Sequence, residues 1–369
     1  MQVGERLRIA RNAIGYTLEK TAAQTGIGSS SLSEFENGKR EPKFSQLSRL
    51  AEFYRRSIEF FLSEEPLTED VMLWRDAPAQ DEQIKETEAE FRQLCEQYHK
   101  LELLLGESKA INLPQAEGTH ETFHFKDASR LAESFQERFL HGGMPSASIR
   151  QVLEEKFHVK IFHLPITGSA ISNLSPEFGP AVLLNAQSTL WRRNFDLAHE
   201  VFHLLTWNIF RRTPTSRSTS AGEHEERLAN AFASRLLLPT DAVKDRIEDL
   251  AGDKGRISLE ALDEIAREFG VSLDALLWRL LYLYNRPVEE IQKYLEEARK
   301  VRLVRPPRQS DHPDRLPERY CGLAVRALRE GKLSLIQFAK YMGLSYKKAE
   351  EYLMDEGDLT NEQVSIPVA

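Results

Sequence analysis

The run Phe195-Asp196-Leu197-Ala198-His199-Glu200-Val201-Phe202-His203-Leu204-Leu205 constrains this chain more than any other stretch. It sets His-Glu-x-x-His inside an apolar segment. On a helix of about 3.6 residues per turn, His199 and His203 share one face and their rings converge. Leu197, Ala198, Val201, Leu204 and Leu205 predict that this helix is largely buried. Buried imidazoles need partners, and one zinc ion satisfies two of them at once. Glu200 then stands beside the metal, where a carboxylate can take a proton from water. A surface helix with two solvated histidines is the bland alternative, and the apolar flanks argue against it.

The rest of the composition narrows the setting. With 369 residues, 41% hydrophobic and 29% charged, the chain suits several globular domains. Its net charge of −8 means that any nucleic-acid contact must come from a local basic surface. Only Cys95 and Cys321 occur, so a disulfide framework and a thiol-rich metal site are both excluded, and a reducing cytoplasm is the expected compartment. No apolar run approaches the roughly 20 residues of a membrane span, and no partner membrane is expected. The interleaved charges Glu5, Arg6, Arg8 and Arg11 leave no signal-peptide core.

Residues 1–65 read as five short helices. Val3, Leu7, Ala10 and Ile14 recur at helical spacing, and Thr17 is placed to cap a second helix over 18–24. Gly26-Ile27-Gly28 forms a tight turn before a third helix over 29–36, closed by Asn37-Gly38. Leu47, Leu50, Ala51, Tyr54, Ile58 and Phe61 mark two closing helices. Two short helices joined by a glycine turn make a helix-turn-helix, whose second helix enters the major groove of DNA. The run from Gly26 through Ser31-Leu32-Ser33-Glu34 to Pro42 resembles the Xre/Cro-type regulator family. That resemblance implies that Ser29, Ser30, Ser31, Ser33 and Glu34 face bases or phosphates, while Lys39, Arg40 and Lys43 hold the backbone of a double-stranded operator. Leu18 and Thr21 depart from the family, which often has a phosphate-binding Gln and a core Leu there. Ten Lys/Arg against eight Asp/Glu make residues 1–64 only slightly basic, so a module kept for protein contacts is the alternative.

Residues 66–120 read as a linker followed by an amphipathic helix. Ile84, Phe91, Tyr98 and Leu105 are seven apart, with Leu94 and Leu101 three residues after Phe91 and Tyr98. This a/d seam suits either a homodimeric coiled coil through 81–107 or a long helix packed on its neighbour. Residues 291–369 read as a helical extension. Twelve Lys/Arg against four Asp/Glu lie between 300 and 349, and Leu335–Ser345 followed by Ala349–Met354 reads like a second helix-turn-helix. Packing on a neighbour and contact with nucleic acid are the two readings of that basic tail. Residues 360–369 are expected to be disordered.

Residues 121–290 surround the opening motif. Helices are expected over 128–139 and 149–157, then strands over 159–164 and 181–185, the latter as an edge open to strand addition. A zinc site needs a third protein ligand. In the helix over 223–238, Glu226 and Asn230 extend an inward stripe of Ala229, Ala233, Leu236 and Leu237, which favours Glu226, with Glu223 and His224 as alternatives. Asp196, Asn230 and Arg193 are candidates to orient the ligands, whereas His141 and His163 read as structural. Phe195–Leu205, together with Glu226, Asn230, Phe232, Arg235 and Pro239, resembles the ImmA/IrrE family of zinc-dependent endopeptidases. Residues 257–280 are similar to that family's closing helices. Phe202 stands where the family commonly has Gly, and a ring there is expected either to narrow the cleft or to go with a changed substrate.

The expected fold is mainly α with a small β-sheet: an N-terminal five-helix helix-turn-helix domain, an α+β zincin-like metallopeptidase domain and a C-terminal helical extension. The resemblances imply a DNA-binding regulator that cleaves a protein substrate, typically a small helix-turn-helix repressor. The alternative is a regulator or antitoxin-like protein whose zinc domain senses or binds without cutting.

Overall fold

The computed structural model describes residues 3–64, 71–77, 81–140, 144–211, 219–251, 256–302 and 312–351. The turn at His141, the Ser/Thr-rich stretch 212–218 and residues 352–369 lie outside them. The chain divides into two units, one of residues 1–67, 80–109 and 316–369, the other of 68–79 and 110–315.

The first unit begins with α1 (Val3–Ala13), α2 (Leu18–Thr25), α3 (Ser29–Glu36), α4 (Phe44–Phe53) and α5 (Ile58–Leu62). Local chemistry sets these boundaries. The Thr17 hydroxyl accepts from the Lys20 N–H at 3.1 Å and starts α2. Gly26 ends it in the left-handed region at φ 67°, which an L side chain rarely adopts. Leu7, Ile14, Ile27, Leu32, Phe35, Leu50, Tyr54 and Phe61 close a common core. Thr21 is fully buried at the position where the Xre/Cro-type family usually has a core leucine. Arg11 grips Glu36 with two hydrogen bonds of 2.7 and 2.8 Å and ties α1 to the end of α3.

The same unit contains α6 (Asp81–Leu105), α16 (Glu318–Arg329) and α17 (Leu335–Met342). The seam residues Phe91, Leu94, Tyr98 and Leu101 are buried. Their cover is intramolecular: Tyr98 meets Tyr320 of α16 edge-on at 5.4 Å. Around that contact, Arg319 donates to Glu102, while Tyr320 bonds Gln97 and the Tyr341 carbonyl. The apolar face on which the coiled-coil dimer rested is therefore used within the chain. Arg319 and Arg326 also pair with Glu107, so part of the basic charge of the extension is neutralised just past the end of α6. The extension reads as a packing element, and the connector is shared between the two units.

The second unit has a four-stranded sheet in the order β1-β3-β4-β2. Its strands are β1 (Leu73–Arg75), β2 (Lys160–Leu164), β3 (Ala170–Ser175) and β4 (Gly179–Asn185). β4 runs parallel to β2 and antiparallel to β3. It is an interior strand, so strand addition to 181–185 is ruled out by its two neighbours. β1 pairs antiparallel with β3, Trp74 opposite Ile171. Neither β1 nor β3 was expected: a three-residue strand carries no readable alternation, and Ala170–Ser175 mixes polar and apolar residues that are nearly all buried. The helices are α7 (Phe125–Phe139), α8 (Pro145–Lys156), α9 (Leu190–Leu205), α10 (Trp207–Phe210), α11 (Thr219–Leu237), α12 (Thr240–Leu250), α13 (Leu259–Glu268), α14 (Leu273–Tyr284) and α15 (Val288–Arg302). α9 lies against β3 and β4, and α11 packs on both α7 and α9. Their shared core includes Leu153, Ile161, Val182, Val201, Phe232 and Leu236. Each such fully buried apolar side chain stabilises the fold by about 2 kcal/mol.

Candidate metal centre

α9 is buried from Asp196 through Leu205, as its apolar pattern requires. That burial brings His199 and His203 together with α11. Their Nε2 atoms are 3.1 Å apart. Glu226 places its carboxylate oxygens 3.1 Å from His199 Nε2 and 3.4 Å from His203 Nε2. All three donor groups lie within 4.8 Å of one another. Ligands about 2.0–2.1 Å from a tetrahedral zinc lie about 3.3 Å apart, so the spacing fits.

The outer nitrogens explain which lone pairs point inward. His199 Nδ1 lies 3.1 Å from Asn230 Oδ1, and His203 Nδ1 lies 2.7 Å from Glu225 Oε1. Both oxygens are acceptors, so each ring donates outward from Nδ1 and keeps its Nε2 lone pair for the cluster. Two imidazole lone pairs and a carboxylate turned to one point repel each other unless a cation joins them. Without a metal cation the cluster balances its own charge, and His203 takes a proton on Nε2 that a metal would have to displace. Burial pushes His199 down to about 4. At His203 burial also works downward, but Glu225 and Glu226 outweigh it and raise the group to about 10. Glu226 is held well below the usual carboxylate range: burial opposes this, and His199 and His203 overcome it.

Glu200 is only 1% exposed, and among the described residues neither of its oxygens has a well-aligned hydrogen bond, the Ser172 hydroxyl being the polar group that acts on it. Burial raises it to about 7, against the opposing pull of His203, the Ser172 hydroxyl and Arg75. A buried carboxylate without a well-aligned hydrogen bond, beside three converging donors, is matched to exchanging a proton near neutral pH.

The other sequence candidates divide. Glu223 is exposed and His224 packs edge-on against Phe125 at 6.0 Å, so neither joins the cluster. Asn230 backs His199 as expected, although it is exposed rather than inward. Arg193 instead braces the start of α9 by donating to the Ser188 carbonyl. Asp196 does not touch a ligand. It is fully buried and pairs with Arg75 at 3.2 Å and Arg192 at 3.1 Å. Phe202 is fully buried, with ring contacts to Phe123, Phe210 and Phe232. Its ring is enclosed in the core, edge-on to the His203 ring at 5.8 Å, and is not exposed to narrow a cleft. His163 is buried on β2, and burial, reinforced by Arg150 and Arg193, lowers it to about 4.

Three contributors were missed. Glu225 is more buried than Glu226 and is anchored by Arg211 at 2.6 Å. The adjacent acidic pair Glu225-Glu226 was the only signal for it. Arg211 and Arg75 had none.

Residues 154–281 match the model of a peptidase family described as the IrrE N-terminal-like domain, and residues 7–61 match the helix-turn-helix model. The chain joins a helix-turn-helix domain to an IrrE N-terminal-like domain. It is 32% identical over 68 residues to the HTH-type transcriptional regulator ImmR of Bacillus subtilis (strain 168), covering 18% of this chain and 54% of that protein. The match thus spans about half the length of the curated relative. A solved Mycobacterium tuberculosis transcriptional regulator aligns over 53% of each chain at 18% identity, with a TM-score of 0.33. The IrrE-like match includes His199, Glu200, His203, Glu225 and Glu226 but neither Arg75 nor β1. Among the described residues, no helix is long and apolar enough to cross a membrane.

The DNA-facing candidates lie on α3 and on the segment between α3 and α4. Ser29, Ser30, Lys39, Arg40 and Lys43 are exposed, and Ser31, Ser33 and Glu34 are half-buried. Arg40 stacks over Phe35 at 5.0 Å and pairs with Glu34 at 3.5 Å, which fixes the turn after α3.

Proposed function

We propose that this chain is a DNA-binding regulator that hydrolyses a peptide bond in a partner protein, with zinc held by His199, His203 and Glu226. The observation that carries this reading is the convergence of three donor groups within 4.8 Å beside the buried carboxylate of Glu200, which has no well-aligned hydrogen bond among the described residues. Zinc, when bound, supplies a Lewis acid for a peptide carbonyl and makes water more acidic. The chain's own residues supply the rest. Glu225 and Asn230 orient the two imidazoles. Glu200 accepts a proton from the attacking water and returns it to the leaving amine nitrogen, a role suited to a group poised near pH 7. The exposed serines and cations on and after α3 serve an operator. The relative's description as a transcriptional regulator supports this role, and a small helix-turn-helix repressor is the proposed substrate.

The test pairs wild type with Glu200→Gln, each incubated with zinc and a repressor encoded beside this chain. Wild type is expected to shorten the repressor, and the variant to retain zinc but not cut. If both leave the repressor intact while both bind zinc, the domain binds or senses and the protease reading fails. Gel shifts across a salt series test the DNA arm: absence of salt-dependent binding to any neighbouring promoter fragment overturns it.

A further inference from the structure

The two imidazoles are backed by parallel relays. His203 leads to Glu225 and then Arg211. His199 leads to Asn230, and Arg75 Nη2 donates to the same Asn230 Oδ1 at 3.3 Å. The second relay has a weakness that the first lacks. A carboxylate can only accept, whereas a carboxamide can turn over and present its NH2 group. A flipped Asn230 would donate to His199 Nδ1, shift the ring proton to Nε2 and remove the lone pair from the cluster. An arginine side chain has donors and no acceptor, so Arg75 opposes the flip: it would face the NH2 group with another donor.

Arg75 is enclosed beside an opposite charge, although its Nη1 and Asp196 Oδ1 form no aligned hydrogen bond. Its side chain is 10% exposed and pairs with fully buried Asp196 at 3.2 Å. Its guanidinium lies 5.2 Å from the Phe195 ring centroid. The next residue, Asp76, accepts from Ser169 at 2.6 Å and from Arg192 at 2.9 Å, pinning the end of β1. These contacts aim one guanidinium at the back of His199 from a segment outside the peptidase-like match.

We propose that Arg75 is a positioning residue of the His199–His203–Glu226 cluster, acting through Asn230 to keep the His199 proton on Nδ1. The proposal rests on the zinc reading above and adds to it a residue supplied by β1. It also gives Asp196 its role: Asp196 anchors Arg75 and reaches the ligands through it.

Zinc affinity of the full chain, measured by competition with a chromophoric chelator, tests this directly. Arg75→Ala and Asn230→Ala are each expected to weaken binding by about 10–100-fold. The double variant should be no weaker than Asn230→Ala alone, because both changes cut one relay. Asn230→Asp, which cannot present a donor, should bind like wild type and should restore affinity in the Arg75→Ala background. Imidazole 15N spectra of the zinc-free protein should place the His199 proton on Nδ1 in wild type, and partly on Nε2 in Arg75→Ala. An Arg75→Ala affinity within twofold of wild type, additive losses in the double variant, or an unchanged tautomer overturns the proposal. Should Arg75→Ala fail to fold, Asn230→Ala decides, since that side chain is exposed: wild-type affinity there overturns the proposal equally. If wild type itself binds no zinc, the metal reading has failed instead.

Discussion

Helix α3 turns Ser29 and Ser30 to solvent, whereas α9 encloses His199, Glu200 and His203 almost completely. Water screens and solvates the groups on α3, so each can be exchanged at little cost, and their effects add. On α9 every polar atom needs a protein partner or a ligand. His199 and His203 have theirs in Asn230 and Glu225, and Glu200 has no well-aligned one among the described residues. The contrast predicts steep, all-or-none responses on the buried helix and graded ones on the exposed helix. The buried helix also depends on distant chain segments, since Arg75 and Asn230 are 155 positions apart in sequence.

Five substitutions sharpen or break that contrast. Glu200→Gln should lower hydrolysis by about 10²–10⁴-fold, measured as kcat/KM on a cleaved repressor, with zinc stoichiometry unchanged. Phe202→Ala should destabilise the fold by about 3–5 kcal/mol in urea titrations. A loss under about 1 kcal/mol would mean that this ring is not the core element described here.

His163 tests a buried histidine away from the cluster. Its folded value of about 4 lies below the ordinary 6.5. The unfolded chain therefore binds the proton more readily, and stability is full above about pH 6.5 and falls as pH drops toward 4. The loss over that window should be about 3 kcal/mol. His163→Gln should remove this part of the acid sensitivity, and an unchanged pH profile would contradict it.

Thr17→Ala should cost about 1 kcal/mol by removing the cap of α2, read as a lowered urea midpoint. Lys43→Ala should leave stability unchanged and reduce the salt slope of operator binding by about one unit. A sequence-specific loss at one base position would instead mean that Lys43 reads bases. If Lys43→Ala unfolds the chain, or Phe202→Ala does not disturb it, the contrast between the exposed and buried helices collapses.

Much of this architecture was legible because it follows local rules. Thr17, Gly26 and Gly38 announce helix boundaries of the first unit through capping and left-handed turns, each set by its immediate neighbours. The apolar spacing around His199 and His203 announced a buried helix, and the same period on α11 favoured Glu226 over Glu223 and His224, although it also turned the exposed Asn230 inward. It did not rank the burial of adjacent residues, because a helix packed between α7 and α9 shields more than one stripe. Glu225 therefore came out as the more enclosed carboxylate. The seam on α6 was visible as a pattern, but a pattern of apolar residues does not name its partner. Only packing showed that α16 covers it.

While it left the third donor among Glu226, Glu223 and His224, the sequence by itself determined the His-Glu-x-x-His helix and the five-helix order of the N-terminal unit. Each rests on periodicity or capping over a few turns, where the backbone's own geometry relates the residues involved. Tertiary structure alone decided that β4 lies inside the sheet, that Phe202 faces the core and that Arg75 reaches Asn230. A three-residue strand has too few positions to show a period, and its partners are chosen by sheet pairing and ion-pair burial across the whole chain.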